Sequence, residues 1–392
     1  MKYYLGLCAI AKNETKYLEE WVRYHLGIGV DHIILFDNDS DIPVSETLKD
    51  WISAGAITVI EAPGACKQLP CYETALSKFG AQFCWLGFID LDEFIVTKNQ
   101  MSLPEFLLAY EPYGGLGVNW VCFGSSGYIE SPDDYVIRAY KLRLPDEHNK
   151  NLHIKSIIQP SKVKSIASNP HSFLFKEGFF AVNELKHPIP AGSAFSYFTN
   201  ELIQINHYVT RSREDYIAKI KRGKADRESE PPSVINEPFK GEVSDNSIKK
   251  QLFHLLRTKD LSPREFLENS IFHQNTFLSE SDLITQLARL VAQQKITDAI
   301  PLILRLSLTV SEEKSLPVKL KILNIQKRFG AVIELSEHFF KTHYSREIVK
   351  EYRFAVKNIG DGNNDIKIEN IERLINFLYG YHGDVPNSEA FR

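Results

Sequence analysis

Within its first ninety residues the chain alternates short apolar runs with stretches of helical period, and this alternation restricts the fold more than any other feature. The runs cover residues 4–11, 32–36, 56–60 and 84–89. After the first, Tyr17, Leu18, Trp21, Val22, His25 and Leu26 recur at helical spacing, with Glu19, Glu20 and Arg23 on the opposite face. Further helices are expected at 44–54 and 71–80. Strands alternating with helices form right-handed βαβ units and a parallel sheet. Such a sheet binds its ligands in the crevice beyond the carboxyl ends of its strands.

The fourth run ends at that edge on three acids, Asp90, Asp92 and Glu93. Crowded carboxylates repel one another unless a cation sits among them. Hard oxygen donors suit Mg²⁺ or Mn²⁺, which bind one or two carboxylates together with substrate phosphates. The residues therefore point to a metal-dependent enzyme acting on a phosphorylated or nucleotide-linked substrate. An acidic, solvated turn is the plainer reading of the same stretch, because Asp-x-Asp is a short pattern.

At 392 residues the chain exceeds one typical core, and two domains are expected. A hydrophobic share of 43% is ample for globular folding, and a net charge of −4 argues against general nucleic-acid binding. Neither a Gly-x-Gly-x-x-Gly after the first strand nor a P-loop lysine is present, which disfavours dinucleotide and P-loop chemistry. Cys8, Cys84 and Cys122 lie in apolar runs and read as buried thiols, in keeping with a reducing compartment. Met1 runs straight into a strand, and the apolar run 299–310 is broken by Arg305. A cytoplasmic protein is expected, and attachment to the inner face of a membrane is compatible with it.

Farther on, residues 114–117 read as a glycine turn and 118–123 as a strand. Gly124-Ser125-Ser126-Gly127 follows, either a plain surface turn or a loop whose small residues let a ligand approach backbone N–H groups. A strand at 202–208 ends in Asn206-His207-Tyr208. Ser212 and Asp215 have capping-box spacing for a helix that carries Lys219, Lys221, Arg222 and Lys224 near its end. Residues 226–246 are polar and proline-containing, a linker or mobile lid. Beyond them helical periodicity recurs at 248–256, 263–271, 280–294, 297–308, 316–329, 332–343 and 345–359. The expected organisation is a catalytic domain at 1–225 and an all-α domain at 247–392.

Several stretches together resemble the nucleotide-sugar glycosyltransferases of family 92 and their family-2-like relatives, which share the GT-A fold. They are Ala9-Ile10-Ala11-Lys12-Asn13-Glu14, Glu20-Trp21-Val22 with Tyr24-His25, Phe36-Asp37-Asn38-Asp39-Ser40, and Phe88-Ile89-Asp90-Leu91-Asp92-Glu93-Phe94. Phe123-Gly124-Ser125-Ser126-Gly127, Lys155-Ser156-Ile157-Ile158, Asn169-Pro170-His171 and His207-Tyr208 with Ser212, Lys219 and Gly223 follow in order. The resemblance covers roughly residues 3–224. It implies an α/β GT-A domain, Rossmann-like with a mostly parallel sheet, and an Asp-x-Asp motif on a divalent cation bridging a donor diphosphate. On it, Asp90, Asp92 and His207 are the expected Mn²⁺ or Mg²⁺ ligands. Ala11, Asn13, Glu14, Asp37, Asp39, Gln68, Asp90, Lys219 and Arg222 are expected around the donor.

Gly124, Ser125 and Ser126 are expected on the acceptor side. Inversion would need a carboxylate base within reach of the acceptor hydroxyl. Glu130, Asp133 and Asp134 follow that loop, and Glu130 is taken as the candidate. Tyr128 stands where relatives often carry His. The expected activity is transfer of a hexose from a nucleotide-diphosphate sugar, UDP-linked, to a glycan or lipid-linked acceptor. The helical part would serve for membrane or protein contact. The alternative from another class is a non-catalytic sugar- or nucleotide-binding module of a polysaccharide-assembly complex.

Overall fold

The computed structural model describes residues 2–98, 101–223, 236–270, 280–293, 295–309, 312–340 and 345–359. It divides into two compact units, residues 1–107 with 113–276, and residues 108–112 with 277–392.

The first unit is built from strands β1 (Tyr3–Ala11), β2 (His32–Asp37), β3 (Ile57–Glu61), β4 (Phe83–Phe88), β5 (Glu93–Thr97), β6 (Gly115–Cys122), β7 (Leu142–Arg143), β8 (Ile154–Ile158), β9 (Val163–Ile166), β10 (Phe173–Phe175), β11 (Ala181–Val182), β12 (Ile203–His207) and β13 (Val243–Ser244). The main sheet has the order β3-β2-β1-β4-β8-β6-β12-β5, with β11 on β6. The first four strands are parallel, as their alternation with helices predicts. Strand β8 runs against both neighbours, β4 and β6, while β12 is again parallel to β6. Strand β2 is buried at every position, which is why it reads as an unbroken apolar run. This is the mostly parallel α/β sheet expected of the first domain.

Helix Thr15–Gly27 turns Leu18, Trp21, Val22 and Leu26 inward. Its Trp21 Nε1 donates to the Glu93 carbonyl at 2.9 Å and its Tyr24 hydroxyl to the Ile95 carbonyl at 2.7 Å, so it is pinned along β5. The expected helix 44–54 breaks at Leu48 into Val44–Thr47 and Lys49–Ser53. The expected helix 71–80 starts earlier, as Gln68–Thr74, and passes into a π-helical turn, Ala75–Phe79.

Residues 115–117 are not a turn but the start of β6. A Cβ on Gly117 would lie 2.4 Å from Ile189 Cδ1, so the glycine serves close packing inside a strand. The described part of the expected linker, 236–246, is likewise ordered against the sheet domain through β13, which pairs with β7. Residues 226–235 and Lys224 lie outside the described residues.

Helices Lys249–Thr258 and Pro263–Asn269 belong to the first unit. Arg23 donates to the Thr258 carbonyl at 2.7 Å, and Phe266 packs edge-on against Trp51 at 5.4 Å. The second unit therefore begins at 277, later than the expected 247. Its helices Glu280–Ala292, Ile296–Thr309, Glu312–Ile325, Phe329–Phe340 and Arg346–Ile359 bury one another through Leu287, Leu306, Leu323, Val332, Phe340 and Val356. Among the described residues no helix is long and apolar enough to cross a membrane.

Candidate functional site

The site is assembled by strand register. Antiparallel pairing of β12 with β5 sets His207 opposite Glu93, and parallel pairing with β6 sets it beside Cys122. The Tyr208 N–H donates to the Asp92 carbonyl at 2.8 Å, tying the end of β12 to the acidic turn after β4. His207 Nε2 thereby comes within 3.5 Å of Asp92 Oδ2. Lys219, on helix Arg213–Arg222, reaches the same oxygen at 2.5 Å. That helix opens with the expected capping box, Ser212 with Asp215.

Asp92 is 8% exposed, a burial that costs several kcal/mol for an isolated carboxylate, of order. Burial pushes its pKa up, but Lys219, His207 and Arg211 outweigh that and hold it well below the usual range. Burial keeps His207 below its ordinary value against the pull of Asp92, which favours the neutral ring.

Asp90 faces elsewhere. Gln68 Nε2 donates to its Oδ1 and Lys155 Nζ to its Oδ2, both at 2.9 Å. The Lys155 side chain is 1% exposed and lies 3.9 Å from Glu93, which is fully buried and accepts the Asp90 N–H at 2.9 Å. Burial would lower the Lys155 ammonium, yet Asp90 and Glu93 hold it above its ordinary value. Burial raises Glu93 well above the usual carboxylate range against the pull of Lys155. Glu93 is thus an internal brace of the turn.

These positions bear on the expected cation. Asp92 and His207 converge as an oxygen and an imidazole donor, a set suited to a divalent ion completed by substrate oxygens. Asp90, expected as a third ligand, is taken up by Lys155 and Gln68. Among the described residues no group of three or more His, Cys, Asp or Glu gathers as a ready-made metal cage. The residues fit an ion held by two protein groups and a diphosphate, not one held by three.

A cleft opens beside Asp92, lined in part by Asn13, Glu14, Tyr17, Arg211, Lys219 and Arg222. Glu14 is its hub, bound by Arg211 at 2.7 Å and by Arg222 at 2.8 Å. Tyr17 is buried, as its place on the apolar helix face predicts, and it also borders the cleft with its ring 3.8 Å from the Arg211 guanidinium. Asn13 ties the loops after β1 and β2 together, accepting the Asp41 N–H at 2.7 Å. Ala11 ends β1 buried, and its carbonyl accepts the Asn38 N–H at 2.8 Å.

Asp37 does not face the cleft. It is 2% exposed, and its two oxygens accept the Ser40 and Val44 N–H groups at 3.1 and 2.8 Å, an Asx-type turn rather than a nucleotide contact. Asp39 is exposed and accepts the Gly64 N–H at 2.8 Å.

The loop expected on the acceptor side is already covered. The Ser125 and Ser126 N–H groups donate to the Phe239 and Lys240 carbonyls, each at 2.9 Å. A Cβ on Gly124 would lie 2.4 Å from the Lys240 backbone. The small residues there admit the chain's own strap, not a ligand. Glu130, the expected base, is exposed and does not line the cleft.

Two residues that sequence reasoning left without a role hold the site together. Lys155 had a signal, a lone charge inside the apolar run 154–158. Arg211, buried at φ 51° and donating to the Leu91 carbonyl at 3.1 Å, had none, because in sequence it looks like any loop charge.

With this geometry in view, the similarity to known proteins is informative. The model of glycosyltransferase family 92 matches residues 3–251. A glycosyltransferase family 92 protein of Oryza sativa subsp. japonica is 30% identical over 184 residues, 45% of this chain and 30% of the relative. One of Ricinus communis is 26% identical over 236 residues, 56% of this chain and 37% of the relative. The chain thus spans about a third of the length of the curated relatives it matches. Among solved structures, S. aureus TarS 1-349 in complex with UDP aligns with 98% of this chain and 94% of that one, at 11% identity. Its TM-score of 0.29 is too low to bear on this chain.

Proposed function

The chain belongs to glycosyltransferase family 92, and from that premise we propose that it transfers a hexose from a nucleotide-diphosphate sugar, UDP-linked, to a glycan or lipid-linked acceptor, with inversion. The observation that carries this reading is the meeting of Asp92, His207 and Lys219 at the carboxyl edge of the sheet, beside a cleft lined by Arg211 and Arg222. Breaking a sugar–phosphate bond develops negative charge on the departing diphosphate, and fixed positive groups that meet this charge lower the barrier.

Asp92 and His207 would hold Mn²⁺ or Mg²⁺, which when bound would supply a Lewis acid against that charge. The chain's own part is positional. Lys219, with a side chain 37% exposed, and Arg222, at 21%, are the cations of this cleft able to reach a ligand. Glu14 fixes Arg211 and Arg222 against the first loop, and Lys155 with Gln68 fixes Asp90. Asp90 then borders the donor as an oriented carboxylate.

A thermal-shift screen of UDP-, GDP- and CMP-linked sugars in Mn²⁺ tests the reading. A ligand at a hundredfold excess over its Kd stabilises the native state by ~2.7 kcal/mol. One UDP-sugar should therefore raise the melting temperature while its free sugar does not. A protein stabilised by none of them is not a transferase of this kind.

A further inference from the structure

A wall of aromatic rings stands beside the Asp92–His207 pair, outside the residues that line the cleft. Trp120, near the end of β6, packs on His207 with ring centroids 4.2 Å apart. His153 stacks on Trp120 at 4.9 Å with 16° between the planes, and Phe195 packs against His153 at 4.4 Å. His171 fills the corner, 5.3 Å from Trp120 and 5.7 Å from His153.

The backbone fixes this order. His153 pairs with Phe195 in an antiparallel bridge just before β8, and its carbonyl accepts the Trp120 N–H at 2.9 Å. Because β8 runs against β4, its start lies at the edge where β4 delivers the acidic turn.

Packing alone does not account for the wall. Phe195 is 50% exposed, and Tyr197, two residues along the same stretch, is 83% exposed. Trp21, Trp51 and Trp85 are each at most 1% exposed, whereas Trp120 is only half-buried. Trp120 Nε1 and His207 Nδ1 are buried without a hydrogen-bond partner among the described residues, a rare condition that calls for an explanation. Exposed apolar surface joined to unsatisfied polar atoms is what a ligand site looks like before its ligand arrives.

We propose that Trp120, His153 and Phe195, flanked by His171 and Tyr197, form the platform that receives the acceptor as a pyranose ring. The inference rests on the glycosyl-transfer reading and specifies its acceptor side. An aromatic face is electron-rich, and the C–H face of a pyranose is weakly positive, so the two stack. The imidazoles of His153 and His171 add donor and acceptor atoms for sugar hydroxyls. The contact of Trp120 with His207 sets one end of the platform against the candidate reacting centre.

Intrinsic tryptophan emission tests this, because Trp120 is the one tryptophan open enough to respond. Methyl glycosides of glucose, galactose, mannose and N-acetylglucosamine are titrated into the full chain with UDP and Mn²⁺ present. At least one should change the emission saturably, and Phe195→Ala and His153→Ala should each weaken it about tenfold or more. Phe195 is half exposed, so its truncation leaves the fold intact, and a thermal melt checks this. No saturable response to any of the four, or wild-type affinity in both variants, overturns the platform. Release of UDP from UDP-glucose or UDP-galactose by the wild type is followed in parallel. Release without glycoside binding defeats the platform alone, and absence of donor binding and release defeats the glycosyl-transfer reading itself.

Discussion

Lys155 sits almost without solvent near the start of β8, 2.9 Å from Asp90 and 3.9 Å from Glu93. Removing one partner of a buried ion pair leaves an uncompensated charge, which typically costs 3–5 kcal/mol, of order. Lys155→Met should destabilise the protein by about 3 kcal/mol, near the low end because Asp90 is 32% exposed. Adding Glu93→Gln should recover part of the loss, since the two residues share one network. Denaturant unfolding of the three proteins measures both effects. A Lys155→Met protein as stable as wild type would mean that this lysine does not brace the acidic turn. The same contacts explain why Asp90 and Asp92 differ although only Leu91 separates them: one is locked to a buried lysine, the other faces His207 and a half-open cleft.

At the scale of elements, two couplings decide how the site is framed. Glu20, on helix Thr15–Gly27, accepts the Val136 and Ile137 N–H groups at 2.8 and 3.2 Å and so holds the start of helix Val136–Ala139. Burial raises its pKa to about 7, opposed by those hydrogen bonds and Arg211. A carboxyl raised from 4.5 to about 7 in the folded state binds more protons there than in the unfolded chain. Its contribution is full below pH 4.5 and is lost as pH rises through about 7, by up to roughly 3 kcal/mol. Glu20→Gln should flatten stability across that window in pH-dependent unfolding; an unchanged slope would remove Glu20 as the cause.

The second coupling is the strap over Gly124-Ser125-Ser126. Gly124→Ala forces backbone apart from backbone, so the Ser125 and Ser126 amides should exchange hydrogen about tenfold faster or more. Unaltered protection there would show that the strap does not depend on the glycine. Sequence reasoning saw small residues and inferred room for a ligand. The residues that occupy the room lie more than a hundred positions later, and no local pattern announces a long-range backbone fit.

On the scale of the whole molecule, β1, β2 and β4 were legible as unbroken apolar runs because both their faces are buried, and their alternation with helices fixes a parallel sheet. His207 was legible only through the family resemblance; register explains it afterwards, by setting it opposite Glu93. The compact units divide later than the expected boundary, because periodicity reveals that a helix has an apolar face and not which surface receives it. Lys249–Thr258 and Pro263–Asn269 carry such faces and pack with the sheet domain. The turn-capping contacts of Asp37 were not legible for a related reason, since a carboxylate that caps its own turn and one that waits for a ligand look alike in sequence.

The central claim is that Asp92, with His207 and Lys219, meets the charge of a departing diphosphate. The direct measurement is release of nucleotide from a UDP-hexose, with Mn²⁺ and without acceptor, by wild type and by Asp92→Ala. Loss of one fixed group of this kind costs about 10²–10³ in rate, so release should fall at least about a hundredfold in the variant. Equal release by the two proteins would contradict the account.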